Sequence, residues 1–212
     1  MTNPQKLYYE KRGQTLVKNL KARHFDACYC ETAQDALKKA LEWIPEGSSV
    51  GWGGALSAQQ IGLMDALRKG AYRAIDRDSC TTPEEKRQAA QDCLSANVFI
   101  TGANAISLDG QMVNIDGNGN RLACLMCGPE QVLVIAGMNK VVDDVESAVQ
   151  RVGTHAAPPN AVRLGTRTPC ATLGHCNDCH SDDCMCAHIV VTRHSRQKGR
   201  IKVILVGEEL GY

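Results

Sequence analysis

Five of the chain's eleven cysteines, Cys170, Cys176, Cys179, Cys184 and Cys186, fall between residues 170 and 186 at spacings C-x5-C-x2-C-x4-C-x-C. With Pro169, Gly174 and short polar residues between them, this stretch reads as a loop that turns its sulfurs toward one point, and not as a regular helix or strand. Thiolates are soft ligands that select zinc, Cu(I) or iron–sulfur clusters over hard cations, and a shell of four suits tetrahedral zinc or a four-iron cluster. Cys176 and Cys179 form the pincer and Cys170 stands upstream. The fourth ligand is Cys186, or Cys184 as the alternative; the longer loop gives Cys186 more freedom to close the site. His175, His180 and His188 flank the cysteines and could replace a thiolate. A [4Fe–4S] cluster is the expected cofactor and zinc the alternative; the spacing alone does not decide between them. Disulfides are the plainer reading, set aside because nothing else in the chain looks secreted.

A second group of residues could bind an organic ligand. Gly53 and Gly54 follow a short strand and precede a helix, a place where backbone N–H groups can meet a phosphate or carboxylate, although a tight packing turn reads equally well. The run from Thr101 to Arg121 carries Gly102, Asn104, Asn114 and Asn120, and Arg121 adds a guanidinium fork for an anion. Asn and Asp beside Gly are also ordinary turn chemistry. Asp109, Asp116 and Glu208 are the carboxylates placed to act as acid or base. No Ser/His/Asp order, HExxH or P-loop occurs, so no nucleophile is named.

These residues need a scaffold. Residues 3 to 22 read as an amphipathic helix, Phe25 to Cys30 as a strand, and Thr32 opens a helix whose Ala36, Leu37, Ala40, Leu41 and Ile44 share one face. Residues 48 to 50 form a strand, and Ser57 with Gln60 suggests a capping box for a helix from Ala58 to Lys69. Further strands are expected over 71 to 76, 97 to 102, 112 to 116, 121 to 127, 131 to 136 and 201 to 206, with helices over 83 to 93 and 143 to 152. Residues 155 to 165 read as irregular, and Cys124 and Cys127 as core thiols. Strands alternating with helices predict an α/β fold with a mostly parallel sheet covered on both faces. In such sheets sites lie at the carboxyl ends of the strands.

With 212 residues the chain has room for one well-buried domain, so 1–212 reads as a single unit with an N-terminal helix over 1–22 and the cysteine loop over 166–190, inserted before the last strand. Its 24 basic and 23 acidic residues nearly cancel, which argues against a nucleic-acid footprint. The basic run from Arg193 to Arg200 reads as a solvated loop. No segment approaches the roughly 18 apolar residues of a membrane span, and residues 1 to 6 lack a signal-peptide core, so a cytoplasmic location is expected.

The motifs resemble the LUD-domain family of lactate-utilisation proteins over nearly the whole chain. The resemblance rests on Gly53-Gly54 with Ile61-Gly62-Leu63, the run from Thr101-Gly102-Ala103-Asn104 through Asp109-Gly110 and Val113-Asn114-Ile115-Asp116 to Gly119-Asn120-Arg121, then Gly128-Pro129, Asn139-Lys140, Pro169-Cys170 with Cys176 and Cys179, and Arg200 to Val206. It implies a three-layer α/β/α fold like that of sugar-phosphate isomerases and CoA transferases. It also implies a redox accessory role in oxidising a small hydroxy acid such as L-lactate, beside iron–sulfur oxidoreductase subunits as partners; a homodimer is open. Cys170, Cys176, Cys179 and Cys186 occupy the positions of the family's C-terminal cysteine motif, and Cys184 is additional. Two other functions compete: a transferase-like or isomerase-like enzyme with a structural zinc, and a non-catalytic assembly subunit.

Overall fold

The computed structural model describes residues 3–212, so Met1 and Thr2, where the expected N-terminal segment begins, lie outside the described residues. Helix α1 (Pro4–Ala22) starts at Asn3, whose side chain accepts from the Gln5 N–H, with Pro4 at the first helical position. Strand β1 (Asp26–Cys30) follows, then α2 (Ala33–Trp43), capped by the Thr32 hydroxyl, and β2 (Ser49–Trp52). Next come α3 (Leu56–Gln60), α4 (Leu63–Lys69), β3 (Arg73–Ile75), α5 (Pro83–Asp92) and β4 (Val98–Thr101).

The single helix expected from Ala58 to Lys69 is two helices, broken where Gly62 adopts a left-handed φ of 81°. Ser57 does not cap it; the hydroxyl is fully buried and turned to Leu210 and Lys140. The capping box belongs instead to α5, where Thr82 and Glu85 satisfy each other's backbone N–H groups.

β2, β4, β7 (Gln131–Gly137) and β10 (Ile201–Val206) form the middle of a six-stranded sheet of order β1-β10-β7-β4-β2-β3 in which every pairing is parallel. Successive side chains along a strand point to opposite faces, and the core divides accordingly. Val132, Val134, Val203 and Leu205 pack with Leu16 and Leu20 of α1 on one face. Leu133, Ile135, Ile204 and Val206 pack with Ala36 and Ala40 of α2 and Leu63 and Leu67 of α4 on the other. The expected three-layer α/β/α fold with a mostly parallel sheet is therefore present.

A second sheet escaped the sequence reading. β5 (Ala105–Ser107), β6 (Met112–Asp116), β8 (Val141–Val142) and β9 (His188–Thr192) assemble in the order β8-β5-β6-β9, with β6 antiparallel to both neighbours. β9 comes from the end of the stretch expected to be a cysteine loop, so that segment is tied to the fold by strand pairing. Asn114 faces Val190 in this ladder, and Asp116 faces His188.

Two further expectations are corrected. Residues 121–127 are no strand: α6 (Asn120–Met126) is helical, because Leu122 and Leu125 bury one helical face against the core while Arg121 takes the other side. Cys124 is accordingly buried and Cys127 exposed, so the pair does not act as two core thiols. Residues 155–165 are not irregular either. α7 (Val145–Arg151) runs through a π-helical turn (Val152–Ala156) into α8 (Ala157–Leu164), with Pro158 and Pro159 near the start of α8, where their missing N–H groups cost little. A short helix, α9 (Pro169–Leu173), opens the cysteine segment.

The basic run before β10 holds the fold together. Arg200 donates to the carbonyls of Cys124 and Leu125, in the last turn of α6, and to that of Pro129. It supplies partners to carbonyls that a helix end leaves unsatisfied. Arg200→Ala should destabilise the protein by about 2–3 kcal/mol through these lost charge-assisted bonds. Urea unfolding checks this: the midpoint should fall with the slope unchanged.

Candidate functional site

The four central strands end on one side of the sheet, and the chain segments that leave them build a cleft of about 720 Å³. β2 delivers Trp52, Gly53 and Gly54; β4 delivers Ala103 and Asn104; β7 delivers Lys140; and the segment after β10 delivers Tyr212. The opposite wall comes from the second sheet and α6, with Ile115, Asp116, Asn120 and Arg121, and from the cysteine segment, with Asp182, Asp183, Cys184 and Met185. This is the carboxyl-end placement expected of an open parallel sheet.

Arg121 is the centre of the floor. Its Nη2 donates to Asn104 Oδ1 at 3.1 Å and to the Ile115 carbonyl, and its Nε lies 3.5 Å from Asp116 Oδ2. Burial lowers its pKa against the opposing pull of Asp116. Nη1 has no hydrogen-bond partner among the described residues, so one donor of the fork is uncommitted. Asp116 Oδ2 is a buried oxygen without a hydrogen bond.

Gly54 explains why this seat exists. It adopts a left-handed φ of 58°, and a Cβ there would stand 2.7 Å from Arg121 Cδ. The glycine turn therefore receives the Arg121 stem; its part in any ligand site is to let that guanidinium lie flat on the cleft floor. Gly102 is one layer deeper, its carbonyl accepting from Asn114 Nδ2 at 3.0 Å. A Cβ on Gly102 would lie 3.2 Å from the Gly54 carbonyl and 3.8 Å from Lys140 Nζ. Gly102 and Asn114 thus support the cleft without lining it, whereas Gly53, Gly54, Asn104, Asn120, Arg121 and Asp116 line it.

Asp109 and Glu208 are elsewhere. Asp109 closes the β5–β6 turn, paired with Arg23 at 2.6 Å and with Gln111, and Glu208 accepts from the Ala33 N–H at 2.9 Å. Neither lines the cleft, and each carboxylate helps to hold chain segments together. Of the three candidate carboxylates, the cleft keeps Asp116.

The residue that the sequence reading passed over is Lys140. It ends the one-turn helix Met138–Lys140 after β7, is only 5 % exposed, and donates to Ser57 Oγ at 3.1 Å. Burial, then the positive charges of Arg151 and Arg121, lower its pKa to about 7. Arg151, also buried, donates to the carbonyls of Asn104 and Asn139. Leu210 and Gly211 cross over Lys140, held by Asn139 and Gln60. The signal was present as Asn139-Lys140 directly after an apolar strand, a place where a lysine must end at the sheet's carboxyl edge.

The thiols cluster at the mouth. Cys186 packs against the small core around Ala148 and Val152, and its thiol is pushed up to about 12, by burial first and then by the neighbouring Cys184, Cys176, Cys170 and Cys179. Thr168 Oγ1 lies 3.3 Å from Cys170 Sγ, and the Cys179 thiol is lowered by hydrogen bonds centred on Ser181. The charges of the other four cysteines of the segment are thus felt at Cys186. Among the described residues no three His, Cys, Asp or Glu side chains converge at coordinating distance. Asp178 in this loop sits at a φ of 49°, a conformation L-residues seldom adopt. The same loop touches the cleft: a Cβ on Gly117 would lie 3.2 Å from Met185 Cα.

Fold and cleft together define an α/β protein whose cleft, lined by cations and carboxylates, is walled on one side by a thiol-rich segment. The family model of the LUD domain matches residues 13–206. The chain belongs to the LUD-domain family, a group related to lactate utilisation. The fold is also that of a DUF162 family protein from Deinococcus radiodurans, known from a crystal structure, with a TM-score of 0.52 at 12% sequence identity, covering 95% of this chain and 98% of that one. No curated protein matches the chain. No helix among the described residues is long and apolar enough to cross a membrane.

The lowered pKa of Lys140 fixes a pH dependence. Below about pH 7 both folded and unfolded chains carry the proton, and burying the ammonium costs the folded state in full. Between there and the ordinary value of 10.5 only the unfolded chain holds it, so this cost is relieved as pH rises. Lys140→Met should therefore be more stable than the parent protein at about pH 6, with the gap shrinking toward about pH 9.5. Urea unfolding of both proteins across that range reads the difference.

Proposed function

We propose that this LUD-domain protein is a redox accessory subunit in the oxidation of a small hydroxy acid such as L-lactate. In this reading the cleft holds the acid and the thiol loop beside it holds the electron-transfer centre. The observation that carries it is the shared wall: the segment bearing Asp182, Asp183, Cys184 and Met185 lines the same cleft as Arg121 and Lys140. A carboxylate in the cleft would meet the free Arg121 Nη1 and the Lys140 ammonium, and charge-assisted bonds of that kind are the strong ones.

The donor set fits a soft centre. Cys170, Cys176, Cys179 and Cys186, with Cys184 in reserve, lie on one segment between α9 and β9, and a shared centre would require that segment to turn four sulfurs inward. A [4Fe–4S] cluster held there would supply one-electron transfer; zinc would supply only a staple. The chain's own residues bind and orient the acid and exclude water from it. Electrons leaving such a centre would pass to iron–sulfur oxidoreductase subunits, the partners that the family resemblance implies.

A transferase-like or isomerase-like enzyme is the second reading, and Lys140 with Asp116 favours it, because the cleft does contain a base and a carboxylate.

Protein purified anaerobically should be brown, with broad absorbance at about 400 nm and iron and sulfide bound. Cys176→Ser should remove that absorbance while leaving the far-ultraviolet circular dichroism intact. A colourless protein with one zinc per chain would overturn the redox reading. In thermal-shift measurements L-lactate and pyruvate should stabilise the protein, since a ligand of the folded state raises stability with occupancy, and Arg121→Met should abolish the shift. Protonated Lys140 favours the anion, so the stabilisation should weaken as pH rises above about 7.

A further inference from the structure

A buried amine at the floor of a cleft is costly unless it has a task. Lys140 has no carboxylate beside it. Its recorded side-chain partner is the Ser57 hydroxyl, whose own proton is committed to the Leu210 carbonyl at 3.2 Å. Ser57 can therefore only accept from Lys140, which orients the amine and leaves its lone pair unused whenever it is neutral. The neighbouring guanidinium groups of Arg151 and Arg121 favour that neutral form, the arrangement by which enzymes turn a lysine into a nucleophile.

The amine and the anion seat share one cavity, since Lys140 and Arg121 both line the cleft. Beneath its floor Gly54 backs the arginine stem, and Gly102 lies between the Gly54 carbonyl and Lys140 Nζ, a Cβ on Gly102 standing 3.2 Å from the one and 3.8 Å from the other. A ligand that uses both must carry a carboxylate and, next to it, a carbon that an amine attacks. We infer that the cleft captures a 2-oxo acid as a Schiff base on Lys140, with Arg121 binding the carboxylate and Asp116 carrying the proton.

The step balances as follows. The Lys140 nitrogen forms a bond to the 2-oxo carbon, and the carbonyl oxygen takes up a proton to give a carbinolamine. That hydroxyl then leaves as water as the nitrogen lone pair closes a protonated C=N bond. Ammonium and ketone thus give iminium and water, with no oxidant or reductant consumed. Asp116, whose Oδ2 is buried without a hydrogen bond 3.5 Å from Arg121 Nε, is the cleft carboxylate beside the anion seat, and to it the proton passed to the departing oxygen is assigned. A cleft of about 720 Å³ exceeds what a three-carbon acid fills, so a 2-oxo acid with a longer side chain is also accommodated.

The inference rests on the small-acid reading of the cleft and is independent of what the thiols hold. The 212-residue protein, incubated near neutral pH with pyruvate or with 2-oxoglutarate and sodium cyanoborohydride, should gain one reduced adduct per chain. Peptide mass mapping should place it on Lys140. L-Lactate, which has no carbonyl, should give no adduct, and acetone, which has no carboxylate, far less than pyruvate. Lys140→Arg should give none, but the map of the parent protein decides the matter whether or not that variant folds. If the oxo acids raise the melting temperature and no adduct forms at Lys140, the Schiff base is wrong and the small-acid site stands. If neither stabilisation nor adduct is seen, both fall. Equal trapping of acetone would remove the carboxylate requirement and with it the 2-oxo-acid assignment.

Discussion

Three cations, Arg121, Lys140 and Arg151, are buried around the end of the parallel sheet, and Asp116 is the carboxylate placed against them. Desolvated charge of one sign is tolerated only where backbone carbonyls, a counter-ion or deprotonation relieve it. All three remedies are used. Arg151 is spread over the carbonyls of Asn104 and Asn139, Arg121 takes Asn104, Ile115 and Asp116, and Lys140 gives up its proton more readily than an exposed lysine. Lys140 alone of the three is without a carbonyl or carboxylate partner among the described side-chain contacts, its recourse being the Ser57 hydroxyl.

The rest of the fold serves that arrangement. Parallel strands bring β2, β4, β7 and β10 to a common edge, so that four connections distant in sequence share one floor. The second sheet and α6 then supply the facing wall, and Arg200 fixes the far end of the helix on which Arg121 rides. Glycine at 54 is demanded twice, by its positive φ and by the arginine stem lying over it. A side chain there would lift the guanidinium from the floor and uncouple it from Asn104.

The thiol segment is joined to this site by covalent and strand connections. β9 carries it into the second sheet beside β6, whose Asp116 ends in the cleft, and Cys186 packs into the core beneath α7. A change in the loop would therefore be felt at the wall formed by Cys184 and Met185. Cys186 is half-buried against that core, whereas Cys176 is exposed.

Alternating apolar runs and helical faces in the sequence were sufficient to specify the main sheet, because a parallel sheet buried on both sides writes its pattern locally, as in Val132 to Ala136 and Val203 to Val206. Thiol spacing likewise marked the cysteine segment, and Gly53-Gly54, Asn104 and Arg121 were legible as cleft residues. Of the second sheet only β6 was legible, since β5 and β8 are three and two residues long and gain stability only from their partners. Arg121 to Cys127 read as a strand because apolar residues at 122, 124 and 125 fit either period until the surface they bury is known. Lys140 was invisible as a functional group because nothing in its own neighbourhood lowers its proton affinity. That comes first from burial and then from the charges of Arg151 and Arg121, all brought about by tertiary folding, where desolvation and electrostatics act through space and not along the chain.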